Sequence, residues 1–275
     1  MGRIHFFEFE DQAWLPRSIH SGITAFLQFA VSKIDLYRPV APLLDRALER
    51  SGAQQVLDLC SGAGGPWLEM RRHLEMVRQR RMPVCLTDYF PDPETFRRLQ
   101  ASAPGTFTCV DAPVSALDVP ARLTGFRTLF SAFHHFREDE AVRIIASAVA
   151  GRQGLGVMES TQRHPLLIAY MLLTPFMVWL TAPFHRGADW KRMFWTYLVP
   201  AIPLMVMFDG IVSCLRTYTP EELLALAARV PGSEGYHWEA GVRRLGILPV
   251  GTTYLLGWPR EAEAAPPCPP PPARS

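Results

Sequence analysis

The hydrophobic pattern of this chain alternates between short apolar runs and longer stretches in which apolar residues recur at helical spacing. Five apolar runs predict strands: 56–59, 83–88, 106–112 with the exit of its strand, 126–136 with the loop after its strand, and 154–160. Strands that alternate with helices predict an α/β fold built on a doubly wound, mostly parallel sheet. Two later runs, at 236–240 and 250–258, predict an antiparallel closing pair, so the expected sheet has about seven strands.

The stretch Gln55–Trp67 places a strand, a small-residue turn and a helix start in direct succession. Gly62 and Gly64 lack a Cβ, so a ligand can approach the backbone of the turn closely. Pro66 is predicted at the first helical position, where its missing N–H costs nothing. Free backbone N–H groups at the start of a helix predict a site for a nucleotide-like cofactor.

Asp58, two residues before the turn, separates two classes of cofactor. Its carboxylate would repel the pyrophosphate of a dinucleotide and attract the α-ammonium group of a methionine moiety. The run Val56-Leu-Asp58-Leu-Cys60-Ser-Gly62-Ala-Gly64 resembles the first motif of the class I S-adenosylmethionine (SAM)-dependent methyltransferases, with Cys60 in a glycine slot. The resemblance implies a Rossmann-like methyltransferase fold and a SAM site. The residues that it assigns to this site are Asp58, Cys60, Ser61, Gly62 and Gly64.

The predicted second strand ends on an acid, Asp88. In nucleotide-binding α/β folds, a carboxylate at this strand end binds the ribose hydroxyls. The resemblance implies the same role for Asp88, and it implies that Tyr89 lies against the adenine. The alternative is an acid at an ordinary junction between a strand and a loop.

The resemblance also implies cofactor contacts after the third and fourth strands. Asp111 would accept a hydrogen bond from the adenine amino group, and the backbone N–H of Ala112 would reach the ring. Ser131 and Ala132 would lie beside the sulfonium, because the carboxyl ends of strands at the switch point face the ligand.

Three residues near the ends of the fourth and fifth strands are candidate catalytic groups. His134 and His135 follow the fourth strand, and either could act as a general base because the ordinary pKa of histidine is near 6.5. The alternative is that one of the pair caps the next helix or packs in the core. Glu159 ends the fifth strand; it could orient a substrate, act as a base, or only cap the following helix.

A long apolar insertion follows the fifth strand. Pro165–Phe184 contains no charged residue, and Phe194–Leu215 contains only Asp209. Three interpretations stay open for this insertion: a cap over the substrate pocket, docking into a membrane surface, and spanning a membrane. Four prolines and a basic connecting loop argue against spanning.

Asp209, Ser213 and Arg216 recur at spacings of four and three residues, so they share one face of a helix. Charged groups in so apolar a run need a partner or a ligand. Asp209 and Arg216 are therefore candidate catalytic groups that face the substrate pocket. The alternative is an internal pair between them that anchors the cap.

Composition narrows the class of protein further. The 275 residues carry a net charge of +2, which is too small to indicate nucleic-acid binding. Five scattered cysteines without a Cys-x-x-Cys pair indicate a reducing compartment with no disulfide framework and no zinc site, so we assign no metal ligand. Acidic residues near the N-terminus argue against a signal peptide, so we expect a cytoplasmic protein, and the apolar insertion leaves membrane association open.

The chain divides into five predicted parts. These are an N-terminal helical lid (1–51), a cofactor-binding core (52–160), the apolar insertion (161–218), a last helix with the closing strands (219–260) and a disordered proline-rich tail (261–275). The start of the lid is aromatic and acidic. By resemblance it would fold over the cofactor and wall the substrate pocket; the alternative is that its aromatic residues only pad the outside of the sheet.

The resemblance covers Gln55–Glu159 and implies the transfer of a methyl group from SAM to a small apolar or lipophilic acceptor. The chemistry would be an in-line displacement at the sulfonium methyl, and the methylated atom (O, S or N) stays open. Two alternatives are an NAD-dependent oxidoreductase and a non-catalytic cofactor-binding protein of a membrane surface.

Overall fold

A seven-stranded sheet forms the centre of the computed structural model, which describes residues 2–260 apart from 13, 79–80, 186–188, 245 and 247–250. The strands are β1 (Val56–Asp58), β2 (Val84–Leu86), β3 (Phe107–Cys109), β4 (Phe126–Phe130), β5 (Leu155–Glu159), β6 (Tyr236–Arg244) and β7 (Gly251–Pro259). Their order across the sheet is β3-β2-β1-β4-β5-β7-β6. The first five strands run parallel, and β7 pairs antiparallel with both β5 and β6. The predicted α/β fold with a closing antiparallel pair is therefore confirmed.

The order of the strands reverses between β1 and β4, which are neighbours in the sheet. Asp58 at the end of β1 lies directly opposite Thr128 of β4. In open α/β sheets, ligands bind at such a switch point, outside the carboxyl ends of the strands. The simple dinucleotide-binding sheet has six strands in the order 3-2-1-4-5-6, and the antiparallel β7 departs from it.

The described residues include ten α-helices. They are α1 (Arg17–Ile34), α2 (Ala41–Arg50), α3 (Trp67–Arg78), α4 (Pro93–Ser102), α5 (Glu138–Ala150), α6 (Pro165–Met171), α7 (Thr174–Thr181), α8 (Trp190–Met193), α9 (Ala201–Arg216) and α10 (Pro220–Ala228). A π-helical segment, Phe194–Leu198, continues α8. The helix starts follow local chemistry: α10 has Thr219 as its cap, Pro220 at its first position and a capping box that includes Glu222.

The sheet is covered on both faces, and β1, β4 and β5 are buried along their whole length. Helices α2, α3 and α4 bury one face, where Trp67 is fully enclosed and meets the Phe130 ring edge to face at 5.5 Å. Helices α5 and α10 bury the other face, around Ile144 and Leu223. Each such side chain contributes about 1.5–3 kcal/mol when it is fully buried.

The insertion forms a separate layer of helices beside this core. Ile23 and Phe26 of α1 pack with Val178 of α7 and Ile202 of α9. The contact is close, because a Cβ added at Gly22 would lie 2.4 Å from the Ile202 side chain. The N-terminal helix and the insertion therefore pack as one unit.

Among the described residues, no single helix is long and apolar enough to cross a bilayer. Two bent pairs of helices meet the same criteria of length and composition. Pro165–Met171 with Thr174–Phe184 bends by 43°, and Trp190–Leu198 with Ala201–Arg216 bends by 73°.

The main differences from the predicted elements lie at loops and helix ends. Helix α3 begins at Trp67, so Pro66 lies in the preceding turn. Asp118 and Pro120 suggest the start of a helix, but residues 119–125 contain no helix, and Asp118 forms a β-bridge with Ser115. Residue 250, predicted in the last strand, and the predicted tail 261–275 lie outside the described residues.

Candidate functional site

The turn between β1 and α3 is built from residues in left-handed backbone conformations. Cys60 has a φ of +56°, Gly62 of +50°, Gly64 of +94° and Gly65 of +47°. Glycine adopts such angles freely, whereas a residue with a Cβ is strained there. The position of Cys60 thus requires the left-handed backbone conformation that glycine favours. The cysteine adopts this conformation at a cost in backbone strain.

Asp58 lies beneath this turn and is only 2% exposed. Its Oδ1 accepts a hydrogen bond from Thr128 Oγ1 at 2.6 Å, and its Oδ2 accepts one from Ser61 Oγ at 2.7 Å. Burial raises the pKa of this carboxyl to about 6, although the two hydroxyl groups offset part of that effect. The Asp58 carboxylate thus links the turn to β4. Because Ser61 occupies its Oδ2, the carboxylate would attract a bound cation through Ser61 and not by direct contact.

Asp88 lies beside the turn at the end of β2. Its Oδ2 accepts the backbone N–H of Gly62 at 2.7 Å, and its Oδ1 accepts that of Phe90 at 2.8 Å. A carboxylate has about four lone-pair sites, so it can accept further bonds from two hydroxyl groups. Tyr89 follows with 56% of its surface exposed. The predicted ribose and adenine residues therefore stand at the edge of the glycine turn.

The two motif glycines have different surroundings. A Cβ added at Gly62 would meet no atom within 4 Å, whereas one at Gly64 would lie 2.4 Å from Leu99 Cδ1. Gly64 therefore serves the packing of α4 against the turn. Gly62 instead leaves open space next to Asp88, which is the feature that a cofactor cradle needs.

The remaining predicted cofactor residues lie along the same edge. Ser131 has a φ of +46° and shares hydrogen bonds with Tyr37 at 2.6 Å and Ser160 at 2.7 Å, while Ala132 is buried beside it. Asp111 and Ala112, after β3, are exposed. The structure thus places all the predicted residues at the carboxyl edge of β1–β4, and Tyr37 of the N-terminal region is an addition that the motifs do not indicate.

A second group of polar side chains, the buried polar cluster, lies at the ends of β4 and β5. Its members are Glu8, Asp11, His134, His135, Glu159 and Arg216. Glu159 holds the loop after β4: its Oε1 accepts the backbone N–H groups of Phe133 at 2.7 Å and His134 at 3.2 Å. Its Oε2 lies 2.6 Å from His134 Nδ1. The predicted pair Glu159 and His134 is therefore in direct contact.

Glu8 brings the N-terminal segment into this cluster. Its side chain is 2% exposed, and its Oε1 lies 2.9 Å from a terminal nitrogen of Arg216. The same nitrogen lies 2.9 Å from Asp11 Oδ2. Arg216 thus joins two acids of the N-terminal segment to the end of α9.

His135 lies between the two acids of the N-terminal segment. Its Nδ1 is 2.9 Å from Asp11 Oδ1, and its Nε2 is 3.7 Å from Glu8 Oε2. Burial alone would lower the pKa of His135, but the hydrogen bond to Asp11 and the charge of Glu8 outweigh it and raise that pKa. His135 and Arg216 in turn hold the pKa of Asp11 well below its usual range, against the effect of burial.

Asp209 and Ser213 also face the N-terminal segment. Asp209 accepts the backbone N–H groups of Phe9 at 2.7 Å and Glu10 at 3.0 Å, and Ser213 donates to Glu8 at 3.1 Å. Burial raises the pKa of Asp209 to about 7. The alternative of an internal pair between Asp209 and Arg216 is wrong, because each of them bonds to residues 8–11 instead.

The sequence analysis did not single out Glu8, Asp11 or Arg3. Arg3 donates to the backbone carbonyls of His134 and Phe136, and its guanidinium lies 3.9 Å from the centre of the Tyr218 ring. The only signal for these residues is the concentration of acids in an aromatic segment at the N-terminus. That signal does not indicate which part of the chain they contact.

The sheet order, the glycine turn and the acid at the end of β2 together give the chain a Rossmann-like fold, and solved methyltransferases are similar to it in fold. Human N-acetylserotonin methyltransferase, solved in complex with SAM, matches with a TM-score of 0.50 and 13% identity over 88% of this chain and 57% of that one. An O-methyltransferase family protein from Burkholderia thailandensis matches with a TM-score of 0.49 and 15% identity, over 86% and 59% of the two chains. The methyltransferase domain of bacterial CtHen1 gives 0.47 and 13%, over 81% and 99%.

These similarities are similarities of fold. This chain spans 57% and 59% of the length of the first two structures. No protein-family model and no curated protein matches the sequence.

Proposed function

We propose that this protein transfers a methyl group from SAM to a small lipophilic acceptor. The observation that carries the proposal is the open space above Gly62 next to Asp88, at the switch point of the sheet. A left-handed glycine without neighbours in front of it gives a ligand access to the backbone, and the adjacent carboxylate suits a ribose. The similarity of fold supports the same class of reaction.

The residues of the chain divide the work between binding and positioning. Asp88 would hold the ribose hydroxyls, Tyr89 would cover the adenine, and Asp111 with the Ala112 N–H would select the adenine ring. Asp58 would favour the ammonium end through Ser61. When bound, SAM would supply a methyl group on a sulfonium, and the neutral thioether S-adenosylhomocysteine would leave as the acceptor takes the methyl group.

Most of the acceleration would come from positioning the acceptor in line with that methyl group. Well-oriented reactants reach effective molarities of about 10⁵–10⁸ M, whereas a general base adds about 10²–10⁴. His134 is already bonded to Glu159, and His135 to Asp11. These contacts suit histidines that form the wall of the pocket together with Asp209 and Arg216. Whether the reaction needs a general base then depends on how acidic the acceptor is.

The exposed apolar surface of the insertion supports a lipophilic acceptor. Large apolar side chains project from α6, α7 and the segments that follow, including Phe176, Leu180, Phe184 and Leu198, which are 60–74% exposed. Monomeric proteins seldom expose so many together, and such patches mark contacts with lipid or protein. We place the protein in the cytoplasm with this patch against a membrane surface, where it would take up its acceptor.

Calorimetry with S-adenosylhomocysteine tests the cofactor part of the proposal. The wild-type protein should bind, and Gly62→Ala should weaken binding at least tenfold, because the new methyl group occupies the space in front of the turn. Gly52→Ala is the matched control: Gly52 has a φ of +65° and no atom within 4 Å of an added Cβ, but it lies before β1. Its binding should stay within twofold of the wild type.

The outcome of the same titration separates the alternatives. Absence of binding heat with the wild-type protein, together with binding of NAD, would favour the oxidoreductase. Binding of S-adenosylhomocysteine without methylation of any thiol, phenol, fatty acid or quinol, followed with tritium-labelled SAM, would favour a non-catalytic protein.

Vesicle sedimentation tests the membrane contact. Protein should sediment with anionic liposomes and be released by high salt or by detergent, and the double variant Leu180→Asp/Phe184→Asp should stay in the supernatant. Met76→Asp is the matched control, because Met76 is 70% exposed on α3, outside the insertion. Equal loss of sedimentation in both variants would contradict a contact through the insertion.

A further inference from the structure

We infer that Glu8, His134 and His135 form a binding site for a divalent transition-metal ion. Among the described residues, these three offer one carboxylate oxygen and two imidazole nitrogens that all lie within 4.8 Å of one another. Glu8 comes from the N-terminal segment and both histidines come from the loop after β4. The inference does not depend on the proposed methyl transfer.

The orientation of both imidazole rings is the first argument for the site. His134 Nδ1 lies 2.6 Å from Glu159 Oε2, and His135 Nδ1 lies 2.9 Å from Asp11 Oδ1. A hydrogen bond to an ionised carboxylate keeps the proton on Nδ1, which leaves Nε2 as the nitrogen that can bind a metal. Histidine ligands in proteins almost always have such an outer partner.

The second argument is the buried nitrogen of His134. Its Nε2 has no hydrogen-bond partner although the residue is 3% exposed, and the nitrogen points towards Glu8 Oε1 at 3.8 Å. An unpaired polar atom at such depth costs about 1–3 kcal/mol, so it needs an explanation. A metal ion between the two residues would supply the missing partner.

The distances between the donor atoms fit an ion after a contraction. Glu8 Oε1 lies 3.8 Å from His134 Nε2, and Glu8 Oε2 lies 3.7 Å from His135 Nε2. Donors at about 2.1 Å from a tetrahedral ion are roughly 3.4 Å apart. The rings of His134 and His135 already lie with their centres 4.3 Å apart. The donor atoms lie within 4.8 Å of one another, so a contraction of at most about 1.4 Å in the widest separation would close the site.

The charges around the site also favour a cation. The carboxylates of Glu8, Glu159 and Asp11 surround the two histidines, and Arg216 is the guanidinium in contact with Glu8 and Asp11. Arg3 adds a second guanidinium, which donates to the backbone carbonyl of His134. Three carboxylates against two guanidinium groups leave an excess of negative charge that favours a cation. The bond from Arg216 to Glu8 need not break, because carboxylate ligands commonly accept an outer hydrogen bond.

Two imidazoles and one carboxylate select the class of metal. Imidazole suits zinc and iron, and three protein ligands leave at least one position for water or a substrate oxygen. An ion here would fasten the N-terminal segment to the loop after β4.

Titration of metal-free protein with Zn²⁺ and Co²⁺ tests the inference. We expect one Zn²⁺ per chain, and with Co²⁺ we expect visible absorption bands of the intensity that four- or five-coordinate sites give. Glu8→Gln should weaken Zn²⁺ binding at least 100-fold, because it removes one of three ligands. Glu159→Gln, which alters only the outer partner of His134, should weaken it 10–100-fold.

His237→Gln is the control for adventitious binding, because His237 is an exposed histidine on β6. Its Zn²⁺ affinity should stay within twofold of the wild type. The inference is overturned if Glu8→Gln binds Zn²⁺ as tightly as the wild type, or if the wild type binds none. Should Glu8→Gln fail to fold, the Co²⁺ spectrum of the wild type decides: a spectrum of the hexa-aqua ion overturns the site. None of these readouts uses SAM, so they stand apart from the test of the proposed function.

Discussion

The glycine turn and the buried polar cluster lie at neighbouring strand ends, yet they are held in place by different forces. Main-chain N–H groups of the turn hold it in place: that of Ser61 donates to the carbonyl of Thr87, and that of Gly62 donates to the carboxylate of Asp88. Charged side chains fix the cluster, and its pair Arg216–Asp11 joins positions 205 residues apart.

This difference predicts whether a substitution changes the stability of the protein or its binding of a ligand. In the turn, backbone hydrogen bonds maintain the conformation. Its side chains, and the space left by its glycines, are therefore free to contact a ligand. In the cluster, each buried charge is balanced by another, so the removal of one leaves its partners uncompensated. We therefore expect changes in the cluster to reduce stability and changes in the turn to reduce binding.

The largest expected effect is that of Arg216→Met, which leaves Glu8 and Asp11 without their guanidinium. Breaking a buried ion pair on one side costs about 3–5 kcal/mol. The free energy of unfolding from urea titration measures this loss. Arg46→Met is the control, because its pair with Glu239 is largely exposed and should contribute under about 1 kcal/mol. Equal losses in the two variants would remove the contrast between cluster and surface.

Asp58→Asn tests the turn, because we expect this substitution to change stability and ligand binding in opposite directions. Burial raises the pKa of Asp58 to about 6 from an ordinary value near 3.8. Below pH 4 the carboxyl is protonated in both the folded and the unfolded state. Between pH 4 and 6 the unfolded state loses its proton first, so the wild type loses stability, up to about 3 kcal/mol above pH 6.

The variant does not titrate and should escape this loss. Its stability relative to the wild type should therefore rise between pH 4 and 6 and then stay level, while its affinity for S-adenosylhomocysteine at pH 8 falls. Thermal unfolding across this pH range measures the first effect. Parallel curves for the two proteins would show that the buried charge costs nothing.

The turn could be predicted from the sequence because its parts are close together in the chain. An apolar run, an acid, small residues and a helix start occur within Gln55–Trp67, and Asp88 follows the next apolar run. Strand ends of a parallel sheet lie at one edge, so the order of the elements alone brings these residues together.

The cluster could be predicted only in part. The spacing of Asp209, Ser213 and Arg216 identifies a shared helix face, but spacing says nothing about what that face contacts. Its partners are Glu8 and residues 9–11, far away in the chain, and no period links them. The expectation of no metal ligand rested on the absence of paired cysteines, which does not test for a site made of two histidines and a distant acid.

The smallest expected effect tests whether the backbone truly governs the turn. Cys60 has a φ of +56°, where a Cβ costs about 1 kcal/mol of strain. Cys60→Ala keeps that strain and removes only the sulfur, whereas Cys60→Gly removes both. At an ordinary position alanine stabilises more than glycine by about 0.5–1 kcal/mol. Here we expect the reverse order, with Cys60→Gly more stable than Cys60→Ala by about 1 kcal/mol in urea unfolding. If alanine is the more stable of the two, the left-handed conformation of the slot is not a requirement of the fold, and the backbone is not what holds the turn.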